Sequence, residues 1–214
     1  LSNFVNSEIY SIYVLTQFKS QSLIDHLQRG WGYNSILKDH FIVPVPAQMR
    51  TGETWYKGTA DAIYQNLNLI RESRPHYVAV FGADHIYRMD VSQMVLFHNE
   101  MDADVTIAGI SVPIGEASSF GVMGVDSQDR IVQFQEKPAS PLPMPNDAGR
   151  ALVSMGNYIF SCRALIEALE KDAVDENSTH DFGKDILPKM LERGQNVYCY
   201  NFENNVIPGQ QEKN

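Results

Sequence analysis

The stretch Tyr77-Val-Ala-Val-Phe-Gly-Ala-Asp-His85 predicts the type of fold. Its first five residues, Tyr77–Phe81, form a short apolar run between Pro75 and Gly82, which is typical of a strand buried on both faces. Ligands of open α/β sheets bind beyond the carboxyl ends of the strands. The polar residues that follow this strand, above all Asp84, are therefore candidates for a functional site.

Helix and strand patterns alternate around this stretch through the first half of the chain, which predicts an α/β fold with a mixed, mainly parallel sheet. Strands are expected at 9–17, 77–81 and 104–112, and helices at 20–29, 59–71 and 90–101, with Thr59 as the cap of the second helix.

The second half of the chain has a different pattern. A hairpin with a polar turn is followed by a proline-rich loop, and Pro188 should kink or divide the last helix. The expected elements are strands at 121–125, 131–135, 152–160 and 196–202 and helices at 163–170 and 182–193, with the loop at 138–146.

The composition excludes several classes of partner. The 214 residues carry a formal net charge of −9, which argues against binding of nucleic acids or anionic membranes. No apolar run approaches the ~18 residues needed to span a bilayer. The only two cysteines, Cys162 and Cys199, have no metal-ligand spacing and are expected to be inert packing residues in a reducing cytoplasm. We expect one domain over 1–202 and a polar tail over 203–214.

Two side chains near strand ends are suited to phosphate chemistry. The Asp84 carboxylate can hold Mg²⁺, or it can cap the turn that follows its strand, and both roles stay open from position alone. Lys137 follows the strand at 131–135 and is held by Pro138, so its ammonium can bind a phosphate; a solvated surface lysine is the alternative.

Two loops add weaker signals. The loop at 52–59 leads into a helix, and its Trp55 and Tyr56 can stack on a base or only anchor the loop to the core. In the segment His180-Asp-Phe-Gly183, a metal site is one interpretation; we favour Asp181 as the cap of the next helix. The histidines show no zinc-ligand spacing.

Eight short segments in order along the chain resemble the bacterial ADP-glucose pyrophosphorylases. They are Thr16-Gln, Pro46-Ala-Gln, Trp55-Tyr-Lys-Gly-Thr-Ala-Asp-Ala, Gly82-Ala-Asp-His-Ile-Tyr, Ala117-Ser-Ser-Phe-Gly-Val-Met, Glu136-Lys-Pro-Ala, Ser154-Met-Gly and Ser178-Thr-His-Asp-Phe-Gly-Lys-Asp. Each segment alone is weak, but eight in family order are specific. The resemblance implies a GT-A-like, Rossmann-like nucleotidyltransferase domain that makes ADP-glucose and pyrophosphate from ATP and glucose 1-phosphate.

The resemblance also implies roles for single residues. Asp84 would hold a catalytic Mg²⁺, and Lys137 would bind the phosphate of glucose 1-phosphate. Around the sugar it places Gly121, Glu136, Ser154, Tyr158 and Asp181; near the nucleotide, Gln48, Tyr56, Gly58 and Thr59; and in coupling to an activator, Gln17 and Trp55.

At the level of the whole family, the resemblance implies a cytoplasmic homotetramer with allosteric control in glycogen biosynthesis. It also implies a glycine-rich triphosphate loop, a Trp-Arg-Asp-Val-Gly segment and a C-terminal β-helix, and this sequence contains none of them. From these residues alone we expect little or no turnover. A regulatory homologue without activity, or a transferase that uses another nucleoside triphosphate, is the alternative.

Overall fold

The computed structural model of the chain describes residues 1–31, 40–48 and 55–207. The strands are β1 Ser11–Thr16, β2 Phe41–Pro46, β3 Tyr77–Phe81, β4 Val105–Pro113, β5 Gly121–Val125, β6 Ile131–Glu136, β7 Arg150–Ser161 and β8 Val197–Asn201. The α-helices are α1 Ser2–Asn6, α2 Gln21–Gly30, α3 Thr59–Tyr64, α4 Leu67–Ser73, α5 Val91–Glu100, α6 Cys162–Ala173 and α7 Leu187–Glu192. Shorter turns are the 3₁₀ segments Ile114–Ser119 and Phe202–Asn204 and the π-turn Phe182–Ile186.

The longest strand, β7, organises a sheet of six strands. β4 lies antiparallel along one edge of β7, while β5, at Val153, and β3, at Asn157–Ser161, share the other edge. β8 pairs with β4 in parallel and β6 pairs with β5 antiparallel. The predicted α/β layout is therefore confirmed: β3, β4, β5 and β8 run in one direction, although most adjacent pairs are antiparallel because β7 runs against its neighbours.

Alternation along β7 builds one core on each face of the sheet. Leu152, Tyr158 and Phe160 pack with residues of α3, α4, α6 and α7. Ile159 packs on the opposite face against buried residues of α5, together with Phe4 of α1. Because successive side chains of a strand point to opposite faces, a strand that is buried on both faces is apolar at nearly every position. This explains the continuous apolar run from which β3 was predicted.

A separate sheet of two parallel strands, β1 and β2, was only half predicted, since β2 carries two prolines. Phe41 donates its N–H to Tyr10 O and Ala47 donates to Thr16 O, both at 2.9 Å. Odd-numbered residues of β2 therefore donate toward β1, and the prolines at even positions, Pro44 and Pro46, face away. A proline at such a position removes no hydrogen bond from the pair.

The prediction of one helix over 59–71, capped by Thr59, is wrong in two details. The helix breaks at residues 65–66, where the side-chain Nδ2 of Asn66 donates to Ala62 O at 2.8 Å and its backbone N–H turns to Ile63 O. The side chain thus replaces the main-chain donor of a continuing helix. Thr59 is also the first helical residue, and the N-cap is Gly58, which has no side chain to offer.

The helix predicted at 182–193 is divided, as Pro188 suggested. The π-turn comes first, with Ile186 N–H donating to Asp181 O, and Pro188 lies in the first turn of α7, where its missing N–H costs nothing. The predicted cap is confirmed, because Asp181 Oδ1 accepts from Gly183 N at 2.9 Å and from Lys184 N at 3.1 Å.

The end of the described chain is anchored to α5. Asn205 accepts from Asp90 N at 2.9 Å and donates to Asp90 O at 2.8 Å, and Val206 N donates to Gln93. Ordered structure therefore continues past the expected boundary at 202, while residues 208–214 of the predicted tail lie outside the described residues. No helix in the described ranges has the length and apolarity required to span a bilayer.

A buried histidine, His98, links α5 to β4 and β7. Ser161 Oγ donates its one proton to Ala103 O at 2.7 Å, so it must accept from His98 Nε2 at 3.2 Å. His98 Nδ1 then accepts from Thr106 Oγ1 at 2.8 Å. Burial lowers the pKa of His98 to about 4, partly opposed by the charges of Asp104 and Asp102, and the ring is held neutral.

His98 should make the protein lose stability in acid. A pKa lowered from 6.5 to about 4 means that the unfolded chain binds the proton first, so stability is complete above pH 6.5 and falls as the pH drops toward 4. The loss should reach about 3 kcal/mol. Chemical denaturation of wild type and His98→Gln between pH 4 and 7 tests this: the variant should lack this part of the pH slope, the exposed control His76→Gln should keep it, and equal slopes for wild type and His98→Gln would contradict the assignment.

Candidate functional site

The turn after β3 presents Asp84 at the open edge of the sheet. The Asp84 side chain is 89% exposed, and its Oδ1 lies 3.7 Å from Nε2 of His85. The turn packs against the left-handed Gly156 of β7, with φ of +70°, where an added Cβ would lie 3.6 Å from Cε1 of His85. The carboxylate is therefore held on a compact turn and is free to bind a ligand from solvent.

The residues expected around the sugar come together where the start of β5 and the end of β6 lie beside the middle of β7. The Glu136 carboxylate lies against two glycines: a Cβ at Gly121 would be 3.0 Å from Glu136 Oε2, and a Cβ at Gly183 would be 2.5 Å from the same atom. Any larger residue at Gly183 would displace the carboxylate. Glycine at these two positions thus leaves room for Glu136 in the site.

Burial and neighbouring charges raise the pKa values of Glu136 and Tyr158. Burial and then the charge of Asp181 raise the pKa of Glu136, against the opposing charges of Lys137 and Lys184. The pKa of Tyr158 rises to about 12 through burial, with Asp181 and Glu136 adding to the shift and a hydrogen bond with Ser154 opposing it. These shifts place the side chains of Glu136, Ser154, Tyr158 and Asp181 in one electrostatic environment.

Lys137 stands at the rim of this cluster. Its side chain is 62% exposed, and its Nζ lies 4.0 Å from Glu136 Oε1. Its backbone is left-handed, with φ of +47°, and its N–H donates to Phe120 O at 3.0 Å. The left-handed turn ends β6 at Glu136 and leaves the ammonium exposed beside the carboxylate.

Thr59 lies at the end of the loop that is expected near the nucleotide. It contacts the sugar cluster, which consists of Gly121, Glu136, Ser154, Tyr158 and Asp181. Thr59 Oγ1 donates to Asp181 Oδ2 at 3.0 Å and accepts from Phe182 N at 3.1 Å. Sequence reasoning expected Thr59 to cap its own helix and did not single out Phe182. The Phe182 ring packs 5.6 Å from that of Tyr158 and forms part of the apolar floor under the cluster. The available signal was that Phe182 is the one large apolar residue in the polar segment 178–185.

The described contacts of the other residues expected near the nucleotide, and of those expected in coupling to an activator, are with their own neighbourhood. Tyr56 Oη accepts from Asn66 Nδ2 at 3.0 Å, and Trp55 is 45% exposed. Gln48 donates to Pro46 O at 3.1 Å at the end of β2, beside the end of β1 where Gln17 lies. Residues 52–54 of the predicted loop lie outside the described residues.

Two further features are the surroundings of the cysteines and of the candidate metal ligands. Burial raises the pKa of Cys199 to about 12, so this core thiol is protonated at neutral pH, and Cys162 is half-buried. Within residues 1–31, 40–48 and 55–207, no group of three or more His, Cys, Asp or Glu side chains is placed to hold a metal ion together. His180 Nδ1 is instead paired with Asp172 Oδ2 at 2.8 Å.

Comparison with known proteins gives the family of this chain. A family model described as nucleotidyl transferase matches residues 1–206. A glucose-1-phosphate adenylyltransferase of Thermus thermophilus is 56% identical over 218 residues, which are 100% of this chain and 53% of the relative. Enzymes of the same name from Vibrio vulnificus and Photobacterium profundum are 55% and 54% identical, covering 98% of this chain and 51% of each relative.

The chain thus spans about half the length of the curated relatives that it matches. The family match covers nearly all of the described residues, and it includes the sheet, the turn at Asp84 and the cluster around Glu136. The resemblance inferred from the eight segments is confirmed, and the chain belongs to the nucleotidyl transferase family.

Proposed function

We propose that the protein containing this chain transfers the adenylyl group of ATP to glucose 1-phosphate, giving ADP-glucose and pyrophosphate. The observation that carries the proposal is the convergence of Glu136, Tyr158 and Asp181 beside Lys137, with Thr59 of the nucleotide loop bonded to Asp181. The printed names of the relatives support the choice of substrates.

The cluster is suited to a sugar that carries a phosphate. The Glu136 and Asp181 carboxylates accept hydrogen bonds from sugar hydroxyls, and the Ser154 hydroxyl adds a further polar group. Lys137 at the rim offers a point charge to the phosphate. Holding the sugar phosphate in this way positions one of its oxygens for attack on the α-phosphorus of ATP.

In this reaction an oxygen of glucose 1-phosphate forms a bond to the α-phosphorus, and the bond from that phosphorus to the bridging oxygen of pyrophosphate breaks. Such a step depends on positioning and charge neutralisation rather than on a covalent nucleophile. We assign Gln48, Tyr56, Gly58 and Thr59 to the nucleotide and Gly121 to the space beside the sugar. Thr59 lies where the two substrates would meet, because it contacts Asp181 directly.

A divalent cation, Mg²⁺, would be held by Asp84. A single exposed carboxylate fits this ion, since Mg²⁺ is often bound by one or two carboxylates with substrate phosphates and water as its other ligands. Bound there, the ion would neutralise charge on the triphosphate. The described residues provide one such carboxylate and no complete cage.

Several properties of the whole protein stay predictions. They are the coupling of Gln17 and Trp55 to an activator, allosteric control, a homotetramer, a cytoplasmic location, a role in glycogen biosynthesis and the absence of nucleic-acid and membrane partners.

Nucleotide preference tests the reaction itself. Pyrophosphate release by the full-length protein, measured with glucose 1-phosphate and ATP, UTP, dTTP or GTP in turn, should be fastest with ATP. Preference for UTP or dTTP would reject the adenylyl assignment in favour of another transferase. No release with any of the four, while glucose 1-phosphate still binds, would favour the regulatory homologue.

Replacing Asp84 by Asn should lower kcat by about 100-fold or more, because the amide cannot anchor the cation that neutralises transition-state charge. Folding should be little affected, since the side chain is exposed. The kinetics and the melting temperature of the variant measure the two effects. Asp102→Asn, in an exposed turn whose positive φ of +45° Asn also accepts, is the control. An unchanged kcat in Asp84→Asn would remove the metal role.

Replacing Lys137 by Ala should raise the KM for glucose 1-phosphate by about 10-fold or more, because a charged contact to phosphate is lost. The left-handed backbone is equally demanding for both residues, so the substitution isolates the ammonium. Steady-state kinetics with each substrate varied in turn provide the measurement, with the surface substitution Lys171→Ala as the control. A selective loss of ATP affinity would contradict the assignment.

A further inference from the structure

We propose that His180, held by the buried Asp172, is a positioning residue that fixes the nucleotide loop and the sugar cluster relative to each other. The inference rests on the proposed function for the identity of the two substrates. Its structural part is that the hydrogen bond from the His180 ring to Asp172 helps to hold the loop at 178–181 against the start of α3.

Asp172, near the end of α6, is the anchor. Its side chain is 3% exposed, and three donors surround its carboxylate: Ser178 Oγ at 2.7 Å, His180 Nδ1 at 2.8 Å and Lys189 Nζ at 2.9 Å. Burial opposes the charge of Asp172, but these hydrogen bonds outweigh it and hold its pKa below the usual range. Two of the three donors belong to the loop that leads into Asp181.

His180 adopts a conformation that this anchor helps to maintain. Its φ is +57°, in the left-handed region that non-glycine residues enter at a cost of about 1 kcal/mol or more. The ring is buried against Asp172, and the backbone turns so that the carbonyl points away toward α3.

The His180 carbonyl takes the place of a cap on α3. It accepts from Ala60 N at 2.8 Å and from Asp61 N at 3.4 Å, two of the N–H groups that a helix leaves unpaired at its start. Most helices satisfy these groups with a local side chain, but the N-cap here is Gly58 and provides none. The start of α3 therefore depends on a loop about 120 residues later in the chain.

The two segments are also in direct backbone contact. A Cβ on Gly58 would lie 2.3 Å from His180 O and 2.6 Å from Thr179 O, which leaves no space for a side chain. Immediately beside this contact, Thr59 and Asp181 are hydrogen bonded at 3.0 Å. A shift of His180 would therefore move the nucleotide loop away from the sugar carboxylate.

This arrangement predicts an effect on both substrates at once. A residue that contacts one substrate changes the KM for that substrate, whereas loss of His180 should raise the KM for ATP and for glucose 1-phosphate together. Small displacements of positioning groups can cost as much as 100-fold, so we expect on the order of 10-fold for each KM.

Three substitutions of His180 separate the contribution of its left-handed backbone from that of its hydrogen bond to Asp172. His180→Ala loses the ring and disfavours the positive φ; His180→Gly permits the φ but loses the ring. His180→Asn permits the φ and brings an amide donor for Asp172. Asp175→Asn is the matched control, because Asp175 also pairs with Lys189, at 2.9 Å, without contacting the His180 ring.

The Ala and Gly variants of the full-length protein should raise both KM values, and the Asn variant and the Asp175→Asn control should stay within about threefold of wild type. The peptide at the start of α3 should exchange its amide hydrogens faster in the Ala and Gly variants only. The proposal is overturned if His180→Gly has the KM values of wild type, or if His180→Asn fails to restore both KM values. It is also overturned if the Ala and Gly variants change the KM for only one substrate.

Failure of the proposed function would look different. If the wild-type protein showed no adenylyl transfer, the kinetic part would fall with the proposed function, while hydrogen exchange at α3 would still decide whether His180 holds the loop. If wild type were active and the exchange of all variants matched it, the positioning role alone would be rejected.

Discussion

The two-sided pairing of β7 is the constraint on which the site depends. Ser154 pairs with Gly109 of β4, and Tyr158 pairs with Ile107, so β7 uses four steps where β4 uses two. The excess is two residues, an even number, and it leaves the alternation of faces unchanged. Gly156 allows the detour because it can adopt a φ of +70°. An excess of one residue would have sent Tyr158 to the opposite face, away from Glu136 and Asp181.

The charge distribution explains how an acidic protein can be suited to a phosphorylated sugar. The chain carries a net charge of −9, and the sugar cluster itself contains two carboxylates. Lys137 and Lys184 lie close enough to Glu136 to offset part of this charge. In the function proposed above, the carboxylates would bind hydroxyls, and the exposed ammonium of Lys137 would bind the phosphate. A net negative charge argues against polyanions because they need an extended basic surface, but a small anion needs only a local one.

The sequence predicted the fold where the signal was local, and it failed where distant residues decide. β3 was predicted at its observed bounds because its apolar run has clear ends. β2 was missed because prolines argue against a strand, and only the pairing with β1 shows that Pro44 and Pro46 face away from β1. The capping role of Thr59 was predicted wrongly for the same reason, since its partner Asp181 is 122 residues away. The sugar cluster was predicted through family resemblance, because residue spacing alone does not give the register that brings β5, β6 and β7 together.

A residue with a left-handed backbone conformation lies next to each of the two carboxylate residues of the sugar cluster. Lys137 follows Glu136 and His180 precedes Asp181, and both have positive φ although neither is glycine, asparagine or aspartate. Such conformations persist only where surrounding contacts outweigh their cost. The contacts of Lys137 include the hydrogen bond from its N–H to Phe120 O. Those of His180 include the bond from its ring to Asp172 and the bonds that its carbonyl accepts at the start of α3. The conformational cost therefore falls on the residues next to the carboxylates and not on Glu136 and Asp181 themselves.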